Sequence, residues 1–283
     1  MTADYILDFY RQPVDLSALG AHAAKVANLP RDPAGLAKVV QGLLIHEHMG
    51  GMYGVAFTPQ QHAEAHVRPI ETLLGALDSR PLTEARPAGE RFVCVCRSFA
   101  LLFVAVMRHH GTPARARCGF GAYFEKGKFI DHWVAEYWNG ERWVMVDAQI
   151  DERQRRQFGI TTDTLDVKRD EFVIAGDGWR RTRSGELDPK TFGVLDMWGA
   201  WFIASNLIRD VAALNNREML PWDVWGAMTQ DDSALDRAFL DRLAILTHDP
   251  DRHFDALREV YLDPRIAVPR TVFNAVHNRA EAA

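Results

Sequence analysis

Residues 96–107 read CRSFALLFVAVM, apolar on nearly every face, which is the pattern of a helix enclosed in a core. Arg108-His109-His110 bring polar and cationic groups to its last turn, and Gly111-Thr112-Pro113 stop it. Beyond the stop the period changes to two. Residues 114–124 alternate, with Ala116, Cys118, Phe120 and Ala122 in phase on the side expected to face the core. Residues 132–138 and 142–147 are rich in aromatic and β-branched side chains and predict two more strands.

Asn139-Gly140 lies between those strands and is a strong hairpin signal, because both residue types tolerate the positive φ of a type I′ turn. A two-residue loop pairs Trp138 with Glu141 and sets His132 directly opposite Asp147. Directly opposed residues share a face, with Cβ atoms about 4.5–5.5 Å apart. A carboxylate there can hold one imidazole nitrogen and leave the other for a thiol.

The flanks predict helices. Pro13-Val14-Asp15 opens a first helix reaching about Asn28. Asp32 caps a second, with Pro33 at its first position, that ends near Met49-Gly50-Gly51. Thr58-Pro59 opens a third, running to about Ser79 and kinked or split at Pro69. Asp151 onward reads as a short charged helix or a solvated turn. Further helices are expected over 196–214, 233–246 and 250–262. The division that follows is a helical part over 1–90, a catalytic core over 91–165 and a helical part over 166–283, packed with the core as one globular unit.

Composition narrows the class. The 283 residues are 47% hydrophobic and 25% charged, ordinary values for a soluble globular protein. A net charge of −5 does not suit nucleic acid, which calls for a basic patch. Three cysteines are too few for a disulfide framework and point to a reducing, cytoplasmic setting. The first residues lack the apolar core of a signal peptide, and no stretch approaches the ~18 uninterrupted apolar residues of a membrane span.

The chemistry centres on Cys96. A cysteine in the first turn of a helix meets N–H groups and the positive end of the dipole, which favours the thiolate. The same N–H groups can hold an oxyanion. Cys94 and Cys118 read as small buried hydrophobes. His62 and His66, four apart, share a helix face, but no third metal ligand can be named, and no cofactor is expected. His46 and His48 are badly spaced for a shared ion. Arg153, Arg155 and Arg156 read as a solvated face, and Trp198, Trp201, Trp222 and Trp225 as packing or, in the sharper reading, a cleft wall.

Three motifs carry a resemblance: 95–100 with 108–115, Asp131-His132-Trp133-Val134-Ala135-Glu136, and Trp143-Val144-Met145-Val146-Asp147. Together they resemble the transglutaminase-like superfamily, over about a fifth of the chain. That resemblance implies an α+β, papain-like core with Cys on a buried helix and His and Asp on antiparallel strands. It implies Cys96 as nucleophile, His132 as base and Asp147 as orienter. Trp133, beside the base, is a candidate substrate contact. The superfamily usually has Gly where Cys94 stands and often an acid where Ser98 stands. The expected activity is acyl transfer through an acyl-enzyme, by hydrolysis or aminolysis of a peptide, amide, ester or thioester. One alternative is an amide-forming acyltransferase that uses a carrier-bound thioester. Another is a non-catalytic binding module that keeps the fold. Gln60, Gln61 and Tyr53 are candidates for a second oxyanion donor.

Overall fold

A computed structural model of the chain describes residues 3–283 and has a mixed α+β fold. The chain forms two compact units: residues 1–116 with 134–167, and residues 117–133 with 168–283.

The first unit is built around the helix Cys96–His109, in which every residue from Cys96 to Arg108 is buried. A helix apolar on all sides needs cover on all sides. Helices Asp4–Arg11, Ala23–Val26, Pro33–Leu43 and Ile70–Ala76 and the turn Asp15–Ser17 supply it. The expected first helix from Pro13 is corrected. Ile6, Leu7 and Tyr10 are the buried stripe of a helix that ends at Arg11, and Asp15, at φ +47°, turns the chain away from helical geometry. Asp32 caps Pro33–Leu43 through the Gly35 N–H at 2.7 Å. That helix stops earlier than expected, because Leu44–His46 leaves it as a strand paired in parallel with Phe92–Cys94. Thr58 and Gln61 form a capping box on Pro59–Glu64, and the pattern does split at Pro69, which precedes Ile70–Ala76. Glu64 accepts the Val93 N–H at 2.8 Å and so ties the Pro59–Glu64 helix to the strand that leads into Cys96.

The main sheet runs in the order Phe172–Ile174, Ala114–Gly121, Phe129–Trp138, Phe192–Val194, Met197–Trp198, with Trp143–Val146 paired to Phe129–Trp138. Ala114–Gly121 is buried at every position, so both of its faces are covered, where alternation had suggested one. The hairpin register also differs from expectation. Trp138 pairs with Trp143 and Ala135 with Val146, so the loop has four residues, Asn139 to Arg142. The cause is the Asn139 side chain, whose Oδ1 accepts the N–H groups of both Glu141 and Arg142 at 2.9 Å. Only Gly140 has positive φ, at +103°. Asn139 thus opens the turn and is not one of its two central residues.

In the second unit, Ala200–Leu214 packs with Ala175–Arg183 and Arg237–His248. Expected helices are present but shorter, and the short strands Asp223–Val224, Thr271–Asn274 and Arg279–Ala282 form a three-stranded sheet in a part expected to be mostly helical. Each of these strands is too short to show a period in sequence. Arg117 and Asp210 form a buried bidentate pair at 3.0 and 2.8 Å. Asp210 also accepts the Cys118 N–H, and Arg117 also donates to the Thr247 carbonyl.

Two outcomes follow from these contacts. Asp210→Ala strands a buried guanidinium and should cost about 3–5 kcal/mol of stability in urea unfolding; a loss within the scatter of surface variants would contradict the pairing. Burial raises the Glu64 carboxyl above its usual range, opposed by the Val93 N–H. The folded state therefore binds that proton more tightly than the unfolded state, and stability falls as pH rises through the raised value. Glu64→Gln can still accept the Val93 N–H but does not titrate. Its stability relative to wild type should rise between about pH 4 and about pH 7, as read by unfolding at both ends.

Candidate active site

Cys96 stands at the first position of its helix and is 5% exposed. The N-cap is Val95, which has no polar side chain to cap the first turn; the Ser98 N–H turns back to the Val95 carbonyl at 2.9 Å. Arg97 is buried and donates to the Arg68 carbonyl at 2.6 Å. Cys94 is fully buried. Burial pushes its thiol well up, Glu47 and Glu64 push in the same direction, and Arg97 opposes them. Of these two neighbouring thiols, Cys94 is held in its unreactive, protonated form. Cys118 is buried as well.

Asp147 follows directly on Val146, the partner of Ala135, and is 1% exposed. Its backbone N–H donates to the Thr164 carbonyl at 2.8 Å, and its Oδ1 accepts the Gln149 N–H at 3.0 Å. Cys96 and Asp147 belong to the first unit. His132 lies on the strand Phe129–Trp138, three residues before Ala135, in the part assigned to the second unit. Direct opposition of His132 and Asp147 is therefore corrected: the observed register moves it by two residues. The paired ladder runs from Ala135–Val146 to Trp138–Trp143 and stops short of both residues.

Within the second unit His132 sits in an aromatic surround. Its ring lies 4.9 Å from Phe124, edge to face, 6.3 Å from Tyr123 and 6.4 Å from Phe172, between centroids. The preceding Asp131 is held by Asn206 at 2.7 Å, and burial raises its carboxyl against the pull of Asn206, Arg209 and His132. Trp133, the candidate substrate contact, is 1% exposed and a neighbour of opposite direction to His132, so its indole packs in the core.

Tyr53 and Gln61 are both engaged elsewhere. Gln61 completes its capping box and donates to the Gly89 carbonyl. Tyr53 donates to Asp151 at 2.8 Å and accepts from Gln154 at 2.9 Å. Gln60 is exposed. Pro59–Glu64 ends before His66, so His62 and His66 do not share a helix, and His62 lies instead 3.9 Å from Glu47. Among the described residues no group of three or more His, Cys, Asp or Glu is arranged to hold a metal ion. Arg153 and Arg155 are spent on the Met52 and Thr162 carbonyls. Trp198, Trp201 and Trp225 donate to the carbonyls of Leu195, Trp198 and Ile266. Gln149 and Gln154, both buried in the segment after Asp147, were not singled out by sequence; the one available signal was the placing of Gln149 two residues past the candidate orienter. No helix among the described residues is long and apolar enough to cross a membrane.

Residues 80–148 match the model of the Transglutaminase-like superfamily. No curated protein matches the chain. Among solved structures, the chain is similar to "a Putative Cysteine Protease from Cytophaga hutchinsonii", at 15% identity and a TM-score of 0.32, over 61% of this chain and 46% of that one. This chain thus spans less than half the length of that protein. The family match supports a cysteine-dependent enzyme in general terms. The segment that carries Cys96, His132 and Asp147 is transglutaminase-like.

Proposed function

We propose that the protein is a cysteine-dependent acyl-transfer enzyme, with Cys96 as nucleophile, His132 as base and Asp147 as the residue that orients the base. One observation carries the reading: Cys96 begins a fully enclosed helix, inside a transglutaminase-like segment that also holds the other two residues. A thiolate there is stabilised by the helix dipole and first-turn N–H groups. It attacks the carbonyl carbon of a peptide, amide, ester or thioester. The oxyanion is held by helix N–H groups, including that of Cys96. His132 gives its proton to the leaving group, and a thioester to Cys96 remains. Water or an amine then attacks that thioester and returns a proton to His132. Asp147, whose Oδ1 accepts the Gln149 N–H, keeps the imidazole oriented.

The test is the alkylation rate of each cysteine against pH, with the label located by peptide mapping. Cys96 should react with an apparent pKa well below ~8.5, and His132→Ala should abolish that behaviour. Cys94 and Cys118 should stay unlabelled in the native protein, since neither has any exposed surface, whereas Cys96 is 5% exposed. Cys96→Ala should remove turnover of any acyl donor, and His132→Ala should lower kcat by about a thousandfold or more. A Cys96 that titrates as a free thiol would overturn the reading in favour of a binding module.

A further inference from the structure

A chain of hydrogen bonds in the first unit has a defined direction. Asp151 caps the helix Glu152–Phe158, its Oδ1 accepting the N–H groups of Arg153 and Gln154 at 2.9 Å. Its Oδ2 is an acceptor only, so Tyr53 must donate to it, at 2.8 Å. The Tyr53 hydroxyl is pushed up to about 12, chiefly by burial, and keeps its proton. With that proton committed, the Tyr53 oxygen accepts, and Gln154 must present Nε2 to it, at 2.9 Å. The same Nε2 reaches the Gln149 carbonyl at 3.4 Å, which also requires a donor. Gln154 Oε1 is thereby an acceptor, and it takes Gln149 Nε2 at 3.2 Å. The orientation of each amide is fixed by the one before it, from a carboxylate outward.

At the end of the chain stands Gln149 Oε1. Gln149 is 2% exposed, and this oxygen has no hydrogen-bond partner among the described residues. Leaving a buried acceptor unpaired costs about 1–3 kcal/mol, so such a group calls for a partner. The same residue donates its backbone N–H to Asp147. It also lies in irregular backbone between Val146 and Glu152, where a small side-chain shift can admit a group without breaking a helix or strand.

We infer that Gln149 is a substrate-binding residue whose Oε1 accepts a hydrogen bond from the N–H of an amide leaving group or of an incoming primary amine, beside the Asp147 end of the triad. The inference rests on the acyl-transfer reading and deepens it by naming the substrate class. In aminolysis the nitrogen lone pair of a primary amine bonds to the thioester carbonyl carbon. One N–H proton passes to His132, the C–S bond breaks, and Cys96 leaves as thiolate. The second N–H stays on the product amide and is the one Gln149 holds. An alcohol has one O–H, which goes to His132, and offers Gln149 nothing. A secondary amine is in the same position.

The probe is 4-nitrophenyl acetate, which acetylates a reactive thiol with little demand on recognition. The acetyl-enzyme is then partitioned between ethylamine and ethanol, and between ethylamine and its isomer dimethylamine, with products counted per neutral amine. Wild type should favour ethylamine over each competitor by about tenfold more than a free acetyl thioester does, the worth of one net hydrogen bond. Gln149→Met should bring both ratios down to the solution value. Each ratio is internal to its variant, so a general loss of activity cancels, and the wild-type comparison with dimethylamine needs no variant. If wild type acetylates at Cys96 yet partitions like the free thioester, or if Gln149→Met partitions like wild type, the inference about Gln149 is overturned and the acyl-transfer reading stands. If wild type forms no acetyl-enzyme at Cys96, both fall.

Discussion

A helix with apolar side chains on every face cannot rest on a surface, and the first unit is arranged to meet that demand. Helices that precede it in sequence close over Cys96–His109, and its start is fed by a strand held in parallel pairing. The position of Cys96, the proposed nucleophile, is a by-product of this burial. Cys96 occupies the N-terminal end of the helix, where the first N–H groups have no carbonyl one turn back within the helix to bond to.

Enclosure creates a polar problem, and arginine solves it repeatedly. Arg97 reaches the Arg68 carbonyl, Arg108 the Ala114 carbonyl and the Ser17 hydroxyl, Arg115 the Glu136 carboxylate, and Arg117 the Asp210 carboxylate. The guanidinium is suited to this because its several donors lie in a rigid plane and it remains charged when buried. Arg115 is also sandwiched against Trp143 and Tyr10, so its stem and plane fill apolar space while its edge is satisfied. These pairs fix the elements that flank the candidate site with directional bonds where apolar packing alone would allow slippage.

What was legible in sequence had a local cause. The caps at Asp32 and Thr58 and the break at Pro69 are determined by a few adjacent residues, and the structure has them. The enclosed helix was legible from its composition, and the transglutaminase-like segment from motif order. The hairpin register was not, because it turned on whether Asn139 acted through its backbone or its side chain. That difference moved the pairing by two residues. The strands Leu44–His46 and Phe92–Cys94 were illegible because each exists through the other, across nearly fifty residues of chain. Gln149 was illegible for a related reason: its meaning depends on Tyr53, about a hundred residues away, and on Gln154.

The junction at Val95 sets different tolerances along the chain. Cys94 is locked in register with His46, and Cys96 already belongs to the helix, so a single extended residue, at φ −118° and ψ 169°, connects a fixed strand to a fixed helix. One residue added or removed there would turn the helix start by about 100° relative to the strand and carry the thiol to another face. The exposed loop from Asn139 to Arg142 has no such constraint at its tip. Length variation among descendants of this chain should therefore collect at the hairpin and be absent at the cysteine, and an engineer inserting a tag or reporter would choose the hairpin for the same reason.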